Sequence, residues 1–542
     1  MATAWPGAKR MACPIPLSVA AAWLLASRAL AVPVDPAVGN WIGGMDLAGR
    51  YDFVSAKIEG SPLQAKVSIY FRHVSETILV ARSGPEISAS LPVDGVTLRF
   101  LGKTDGDVIR GRVIGADGTS GAFVLRRWRP IDEAKAKDYT GAYEIRPGVV
   151  VTVHVLGHEL YYFDQESGRY GMAMPRSQTE FFAGPTNLSF DPVEIVFRFR
   201  RDGPMTLVLE SQGRRRVARK GAFHEEEVRF QNGAVRLAGT LRLPNAPGPH
   251  PAVVLICGSG AQTRDGFDSH LRVHADVLAA NHFAVLNYDK RGVGASTGDY
   301  HRAGPEDLAG DAAAAVAFLR SRSEVDPNRI GLLGFSQGGM VEPFVASADS
   351  GLAFVANIGG TIVDGEEQEV YRVGAQMKAE GYPDAEIREG IALQVLKFFY
   401  ARTRLGWESY LAAVERNRDK KWLTEIVRFA PTTKDTSSWD FWRRFNVNLA
   451  EKWARVRAPV LLVYGEMDPL SPIQKSLDLF RDTMRSSGNV AYEVKLYPRA
   501  NHDLLEAADS AEGAEQLARG YHRGYLEDLV AWMKDHTRPR LR

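Results

Sequence analysis

Residues 330–339 read IGLLGFSQGG, an apolar run that ends in a serine enclosed by small residues. The run at 330–334 has the length and composition of a buried strand, and residues 340–342 begin a helical pattern. The spacing G-x-S-x-G between a strand and a helix is typical of a sharp turn that exposes a serine hydroxyl. Small flanking residues are needed because neighbouring backbone comes close to such a turn. Ser336 is therefore the candidate nucleophile.

Further apolar runs on both sides of this stretch predict a parallel sheet. Residues 251–257 are continuously apolar, as expected of a strand covered on both faces. Other runs read as strands or helices: strands at 284–288, 459–464 and 492–497, and helices at 271–281 and 311–321. Strands that alternate with helices indicate βαβ units, so we expect a mostly parallel α/β sheet from about Phe223 onward.

Two polar residues follow the last two predicted strands. Asp468 and His502 each lie a few residues past a strand end. The order Ser, Asp, His along the chain is that of α/β-hydrolases, and catalytic groups gather at the carboxyl ends of strands in open α/β sheets. We expect His502 to act as the base and Asp468 to orient it. Glu466 and Asp503 are the alternatives to Asp468.

A nucleophilic serine also needs an oxyanion hole, which is a pair of N–H groups that stabilises the charge of the intermediate. One donor is expected from the amide of Gln337, the residue after the serine. The other is expected from the loop at 258–260, which follows the apolar run 251–257. We favour the Ser259 amide there, with Gly260 as second choice. A plain turn at the end of the strand is the alternative.

Two segments resemble secreted bacterial carboxylesterases, which are related to the prolyl-oligopeptidase-like and serine-aminopeptidase-like hydrolases. Residues 256–260 (ICGSG) and 264–266 (RDG) are similar to the oxyanion loop of that group. Residues 288–296 (YDKRGVGAS) are similar to its D-x-R-G-x-G-x-S signature. The resemblance runs from about Phe223 to the C-terminus and implies the α/β-hydrolase fold and a Ser-Asp-His triad.

The resemblance also limits what individual residues are expected to do. In that group the D-x-R-G-x-G-x-S segment is a structural loop beside the active site, so Asp289 and Arg291 receive no catalytic role. Cys257 departs from the pattern, because many relatives place histidine at this position.

The N-terminal part of the chain has a different pattern. At 36–130 and at 137–221, short runs alternate between apolar and polar residues, with turn pairs such as Asp105-Gly106 between them. Related openings, GNWIG at 39–43 and GAYE at 141–144, indicate a weak internal repeat. We expect two small antiparallel β-modules, each a sheet curled over an apolar face. One larger β-domain is the alternative.

A long insertion separates the serine from the acid within the expected hydrolase domain, 223–542. Residues 364–450 are helical in pattern and rich in tryptophan, tyrosine and phenylalanine. We expect a helical cap over the active site. Its aromatic residues either line an apolar acyl pocket or form the core of the cap itself.

Residues 1–31 have the layout of a secretory signal peptide. Lys9 and Arg10 precede an apolar run at 15–25, and residues 29–31 (ALA) form a small-residue cleavage site. The run is shorter than the about 20 residues that span a membrane as a helix. We expect a secreted or periplasmic protein without a membrane span after cleavage. A disordered or interfacial N-terminus is the alternative.

Charge and cysteine content exclude several classes. The 542 residues carry 67 basic and 65 acidic side chains, a formal net charge of +2, so nothing indicates a nucleic-acid partner. Of the two cysteines, Cys13 lies in the expected signal segment, which leaves Cys257 alone and no internal disulfide. No dense His/Cys/Asp cluster has metal-ligand spacing, so we expect no metal and no cofactor.

Together these residues predict an α/β protein in which a β-rich region precedes an α/β-hydrolase domain. The expected reaction is cleavage of a small-molecule carboxylic ester through an acyl-enzyme on Ser336. A peptidase or aminopeptidase, an acyltransferase with the same triad, and a binding protein that retains the fold are the alternatives.

Overall fold

The structure is a computed structural model in which the described residues are 35–47, 50–69, 74–93, 95–156, 159–184, 195–201, 203–434, 436–506 and 520–538. The expected signal segment 1–31, with Cys13, lies outside the described residues. The described chain forms two antiparallel barrels followed by an eight-stranded α/β sheet. No helix in the described ranges is long and apolar enough to cross a membrane.

The first barrel closes because β1 pairs with both β2 and β8. Apolar side chains such as Trp41, Ile69 and Ile109 fill its interior, and they alternate along the strands with outward polar residues. Its strands are β1 (Gly39–Leu47), β2 (Arg50–Glu59), β3 (Gln64–Ile69), β4 (Val74–Ser83), β5 (Glu86–Val93), β6 (Val96–Asp105), β7 (Val108–Ile114) and β8 (Ser120–Trp128).

The second barrel follows a short helix, α1 (Glu133–Asp138), and closes because β9 pairs with both β10 and β16. Its interior is aromatic, with Tyr143, Phe181 and Phe197 fully buried. Its strands are β9 (Gly141–Arg146), β10 (Val149–Leu156), β11 (Glu159–Asp164), β12 (Arg169–Pro175), β13 (Glu180–Ala183), β14 (Ile195–Arg201), β15 (Met205–Ser211) and β16 (Arg214–Lys220). The expected β-rich region is thus confirmed, and its sheets close into barrels, which the sequence did not predict.

The third sheet has the strand order β17-β18-β20-β19-β21-β22-β23-β24. Its first two strands are antiparallel to their neighbours, and the six strands from β20 onward are parallel. The strands are β17 (Phe223–Asn232), β18 (Val235–Pro244), β19 (His250–Ile256), β20 (Ala284–Tyr288), β21 (Val325–Phe335), β22 (Val355–Ile358), β23 (Val460–Gly465) and β24 (Tyr492–Tyr497).

Helices cover both faces of this sheet. Val253 and Leu255 of β19 face one core with α2 and α11, while Val254 and Ile256 face the other with α3, α4 and α10. Burial on both faces is the reason that this strand reads as a continuous apolar run. The helices are α2 (His270–Ala280), α3 (Pro305–Arg320), α4 (Gln337–Ala348), α10 (Ile473–Ser487) and α11 (Tyr525–His536).

The expected helical insertion lies between β22 and β23. Its helices are α5 (Gly365–Ala379), α6 (Asp384–Thr403), α7 (Trp407–Arg416), α8 (Ser437–Phe445) and α9 (Leu449–Trp453). Tyr400, Trp407, Tyr410 and Trp439 are buried against one another, with ring centroids 4.7–5.9 Å apart. These aromatic residues therefore form the core of the cap, which was the second of the two alternatives.

The second barrel packs directly on the α/β part. The Tyr521 amide donates to the Gly168 carbonyl at 2.7 Å, and the Tyr521 ring lies 5.1 Å from that of Phe163. At the end of α2, the side chain of Asn281 donates to the Gly148 carbonyl at 2.8 Å. Apolar residues of both parts share one buried cluster. The barrel and the α/β sheet are thus joined by a continuous core.

Candidate active site

Ser336 is the single residue between β21 and α4, and its backbone is strained. Its φ of 52° and ψ of −115° lie in a region that residues with a side chain rarely adopt. The Ser336 amide donates to the Ile358 carbonyl of β22 at 2.8 Å, and its carbonyl accepts from the Gly339 amide at 2.9 Å. These bonds hold the turn in place, and the side chain remains partly exposed.

The glycines on each side of the serine are required by space. A Cβ on Gly338 would lie 2.1 Å from the Ile256 carbonyl oxygen of β19. A Cβ on Gly334 would lie 2.5 Å from the carbonyl carbon of Gly338. The sequence pattern thus reflects a helix start pressed against the middle of the sheet.

His502 and Asp468 form a buried pair at the ends of β24 and β23. His502 Nδ1 lies 2.7 Å from Asp468 Oδ2, and the other carboxylate oxygen accepts from the Leu470 amide at 2.7 Å. A carboxylate only accepts hydrogen bonds, so Nδ1 carries the proton and Nε2 is the unprotonated nitrogen of the imidazole. Of the three acids considered from sequence, Asp468 makes this bond, whereas the side chain of Glu466 is exposed.

The imidazole of His502 lies beside the serine turn. The ring of Phe335, the residue before Ser336, is 5.3 Å from the His502 ring. A Cβ on Gly359, which follows β22, would lie 3.1 Å from His502 Cε1. The structure therefore brings Ser336, Asp468 and His502 to one edge of the sheet, next to the point where the strand order reverses around β19.

The loop after β19 lies beside the same serine. A Cβ on Gly258 would lie 3.4 Å from the Cβ of Ser336. The Gly260 amide donates to Tyr300 Oη at 2.9 Å. This N–H, our second choice for the oxyanion hole, is therefore committed to another acceptor, and Ser259 is the better placed of the two. Gln337 is the first residue of α4, where amide groups have no acceptor within the helix.

Two residues that surround this loop, Lys290 and Tyr300, were not predicted from the sequence. Lys290 Nζ donates to the carbonyls of Gly258 and Gly260 and to the side chain of Gln337. Burial lowers the pKa of Lys290 to about 8. The only hint in the sequence is that this lysine follows β20, a strand that is apolar enough to be buried throughout.

Cys257 supports the loop from inside the protein. Its Sγ donates to the Thr263 carbonyl at 3.4 Å, and burial raises the pKa of the thiol to about 12. The neutral thiol therefore acts as a weak donor within the loop.

Asp289 and Arg291 each belong to an ion pair that shapes the following loop. Asp289 accepts from the Arg264 guanidinium at 3.0 and 2.9 Å, and Arg291 donates to Asp311 at 2.8 and 2.7 Å. These contacts are those of a structural loop.

Comparisons of the sequence with known proteins relate the chain to hydrolases. Residues 232–497 match the family model of the X-Pro dipeptidyl-peptidases (S15 family). The chain is similar to the esterase EstD of Thermotoga maritima, with 23% identity over 320 residues that cover 58% of this chain and 68% of the esterase. It is also similar to human acyl-coenzyme A thioesterase 1, with 33% identity over 139 residues that cover 24% of this chain and 30% of the thioesterase.

Among solved structures, an esterase of Pyrococcus furiosus aligns with 16% identity and a TM-score of 0.39, covering 58% of this chain and 92% of the esterase. A proline iminopeptidase of Mycobacterium smegmatis aligns with 15% identity and a TM-score of 0.37, covering 58% of this chain and 99% of the peptidase.

A sheet of this kind with a strained serine turn after a strand is typical of α/β-hydrolases, and the family model and the esterase relative support the same assignment. The chain is therefore a serine hydrolase of the α/β-hydrolase superfamily, with two β-barrels ahead of its hydrolase domain.

Proposed function

We propose that the protein hydrolyses carboxylic esters through an acyl-enzyme on Ser336, with His502 as base and Asp468 as its orienting acid. The observation that carries this proposal is the 2.7 Å bond from His502 to Asp468, beside the strained turn of Ser336. A pair of this kind holds one imidazole nitrogen ready to accept the serine proton.

In the proposed reaction, His502 Nε2 takes the proton of Ser336 Oγ as the oxygen attacks the ester carbonyl carbon. The carbonyl oxygen becomes an oxyanion that accepts hydrogen bonds from the amides of Gln337 and Ser259. Collapse of this intermediate expels the alcohol, which takes the proton from His502. Water then repeats the sequence on the acyl-enzyme and releases the acid.

An apolar substrate is supported by the residues around the loop. Phe267 is 59% exposed, and a Cβ on Gly260 would lie 3.1 Å from its ring. The ring of Phe335, which precedes the serine, lies 5.3 Å from the ring of His502. An exposed aromatic side chain beside an oxyanion loop favours contact with an apolar acyl or alcohol group.

A peptidase is the second candidate, because the family model that matches residues 232–497 is that of the X-Pro dipeptidyl-peptidases. The same acyl-enzyme chemistry would then act on an amide. The thioesterase relative makes acyl thioesters a further substrate class to test.

The deciding experiment compares wild type and Ser336→Ala on p-nitrophenyl acetate, butyrate and longer esters, on acyl-CoA thioesters, and on X-Pro p-nitroanilides. We expect ester turnover in wild type and a loss of several orders of magnitude in Ser336→Ala. Faster turnover of the nitroanilides would replace the ester assignment by a peptidase. A wild type that is inert and does not react with a fluorophosphonate probe would favour a binding protein.

Secretion to the periplasm or the medium is also part of the proposal, on the strength of the layout of residues 1–31. N-terminal sequencing of the mature protein tests it. We expect the chain to begin at Val32, whereas a mature protein that retains Met1 would contradict the proposal.

A further inference from the structure

We propose that Lys290 is the positioning residue of the oxyanion hole and holds the loop at 258–260 so that the Ser259 amide faces the substrate carbonyl. This inference rests on the proposed function, and it concerns a residue to which the resemblance and the comparisons give no role.

Each of the three N–H donors of the Lys290 ammonium has an acceptor. Lys290 Nζ donates to the Gly258 carbonyl, to the Gly260 carbonyl at 3.1 Å and to Gln337 Oε1 at 2.8 Å. An ammonium group has three N–H donors and no acceptor, so these three bonds use its full capacity. The side chain is 4% exposed and lies under the ring of Tyr300, with Nζ 4.7 Å from the centroid.

Because the peptide unit is planar, the bond to the Gly258 carbonyl also orients the amide of Ser259. In a trans peptide, the carbonyl of one residue and the amide of the next point in opposite directions. Because Lys290 holds the Gly258 carbonyl from inside the protein, the Ser259 N–H is directed away from Lys290. The next N–H, that of Gly260, donates to Tyr300 Oη, and the Tyr300 ring lies against Lys290. The loop therefore presents alternate amides to opposite sides.

The same scaffold also holds the second donor of the hole. Tyr300 Oη accepts from Gly260 and donates to Gln337 Oε1 at 3.2 Å, the same oxygen that accepts from Lys290. The backbone amide of Gln337 is the other proposed oxyanion donor. Lys290 and Tyr300 thus connect the two halves of the hole, which belong to segments after different strands.

A charged lysine at this place is costly to the fold. Burial lowers the pKa of Lys290 to about 8, which reflects the free energy needed to remove its charge from water. A buried charge is weak evidence for stability, and perturbed groups of this kind concentrate at functional sites. An ammonium is nevertheless suited to the task, because it can bind three acceptors that come from two separate segments.

The test uses the full chain and compares wild type, Lys290→Met and Lys397→Met. Lys397 is a matched control because it is a second lysine that is 1% exposed and packs on an aromatic ring, that of Trp442, in the core of the cap. Burial lowers the pKa of Lys397 to about 8 as well. Both variants remove a buried ammonium, but only the ammonium of Lys290 contacts the loop at 258–260.

Each protein is assayed for kcat/KM on the best ester and for inhibition by a trifluoromethyl ketone and by the alcohol obtained on its reduction. With the ketone, Ser336 Oγ bonds to the carbonyl carbon, its proton passes to His502, and the carbonyl π electrons become an oxyanion. The alcohol cannot form this adduct, so its Ki measures binding that does not depend on the oxyanion hole.

For Lys290→Met we expect kcat/KM to fall about 10²-fold and the Ki of the ketone to rise by a similar factor, as for loss of one oxyanion donor. The Ki of the alcohol should change less than about threefold. For Lys397→Met the ratio of the two Ki values should stay at the wild-type value. A merely structural lysine would weaken both inhibitors alike or neither.

Other outcomes overturn the inference in distinguishable ways. An active wild type with a Lys290→Met variant that keeps kcat/KM and both Ki values within threefold overturns it and leaves the esterase proposal intact. The inference is also overturned if the ratio of the ketone Ki to the alcohol Ki rises equally in Lys397→Met. If Lys290→Met does not fold, Tyr300→Phe replaces it in the test. We expect the Ki of the ketone to rise about tenfold in Tyr300→Phe while the Ki of the alcohol stays unchanged. Wild-type Ki values for both inhibitors in Tyr300→Phe would overturn the inference. A wild type inert toward all substrates and toward fluorophosphonate overturns the proposed function and this inference together.

Discussion

Asp468 Oδ2 and His502 Nδ1 are 2.7 Å apart, and both side chains are more than nine-tenths buried. This bond fixes the imidazole tautomer in which Nδ1 carries the proton, and Nε2 is the base of the proposed reaction. Asp468→Asn replaces the acceptor oxygen by an amide that can also donate, so the wrong tautomer becomes accessible. We expect kcat to fall by about 10³–10⁴-fold with little change in thermal stability, as measured by ester turnover and thermal unfolding.

The rival acids supply matched controls for this variant. Asp503→Asn and Glu466→Gln change carboxylates near the same loops, and we expect both to keep kcat within about threefold. A large loss in either one, together with an active Asp468→Asn, would reassign the orienting acid.

The serine turn depends on the absence of a side chain at Gly338. A methyl group there would meet the Ile256 carbonyl at 2.1 Å, so backbone would have to move. We expect Gly338→Ala to abolish labelling of Ser336 by fluorophosphonate. Gly351→Ala is the control, because its Cβ would meet only side-chain ends at 3.2 Å or more, and labelling at the wild-type rate is expected.

Glu342 of α4 is fully buried, and this burial raises the pKa of its carboxyl well above 4.5. The folded protein therefore binds this proton more tightly than the unfolded chain. The stabilisation from Glu342 is complete below about pH 4.5 and is lost as pH rises toward the folded-state pKa. Glu342→Gln carries no such proton, so the difference in unfolding free energy between variant and wild type should grow in favour of the variant from pH 5 to 8.

Denaturant unfolding at several pH values checks this prediction. Glu451→Gln changes an exposed carboxylate and should follow the wild-type pH dependence. A difference between Glu342→Gln and wild type that does not vary with pH would contradict the prediction.

Trp439 anchors the core of the cap. It is fully buried, its indole N–H donates to the Thr433 carbonyl at 2.9 Å, and its ring lies 4.7 Å from that of Tyr400. We expect Trp439→Ala to lower the free energy of unfolding by about 3–5 kcal/mol. Phe399→Ala, at a 39% exposed position on α6, should cost much less. Equal losses in the two variants would show that the ring cluster is not the core of the cap.

Local pattern was enough to predict the strands, the serine turn and the positions of Asp468 and His502. The signal for each lies within a few neighbouring residues. A strand buried on both faces is apolar throughout, and the polar residues of the candidate site follow a few positions after strand ends. The α/β-hydrolase fold with a cap was predictable for the same reason.

The features that sequence left open depend on distant partners. Lys290 contacts Gly258 and Gln337, which are 32 and 47 positions away, and no local pattern indicates where its ammonium points. Closure of the first barrel depends on pairing between β1 and β8, the first and last of its strands. The aromatic residues of the cap are equally suited to a core or to a pocket, so only packing could separate these alternatives.

The arrangement of strands also affects the tendency of the protein to aggregate at high concentration. A closed barrel has no outer strand, so the described strands of the two N-terminal sheets offer no row of unpaired backbone groups to another molecule. The two outer strands of the α/β sheet are β17 and β24. The first carries three consecutive glutamates at 225–227, and the second carries Glu493 and Lys495. Charges at such positions oppose edge-to-edge pairing between molecules. The described residues form 24 strands, and closed barrels and charged outer strands together oppose pairing of their sheets between molecules. We therefore expect the folded protein to resist aggregation through sheet extension.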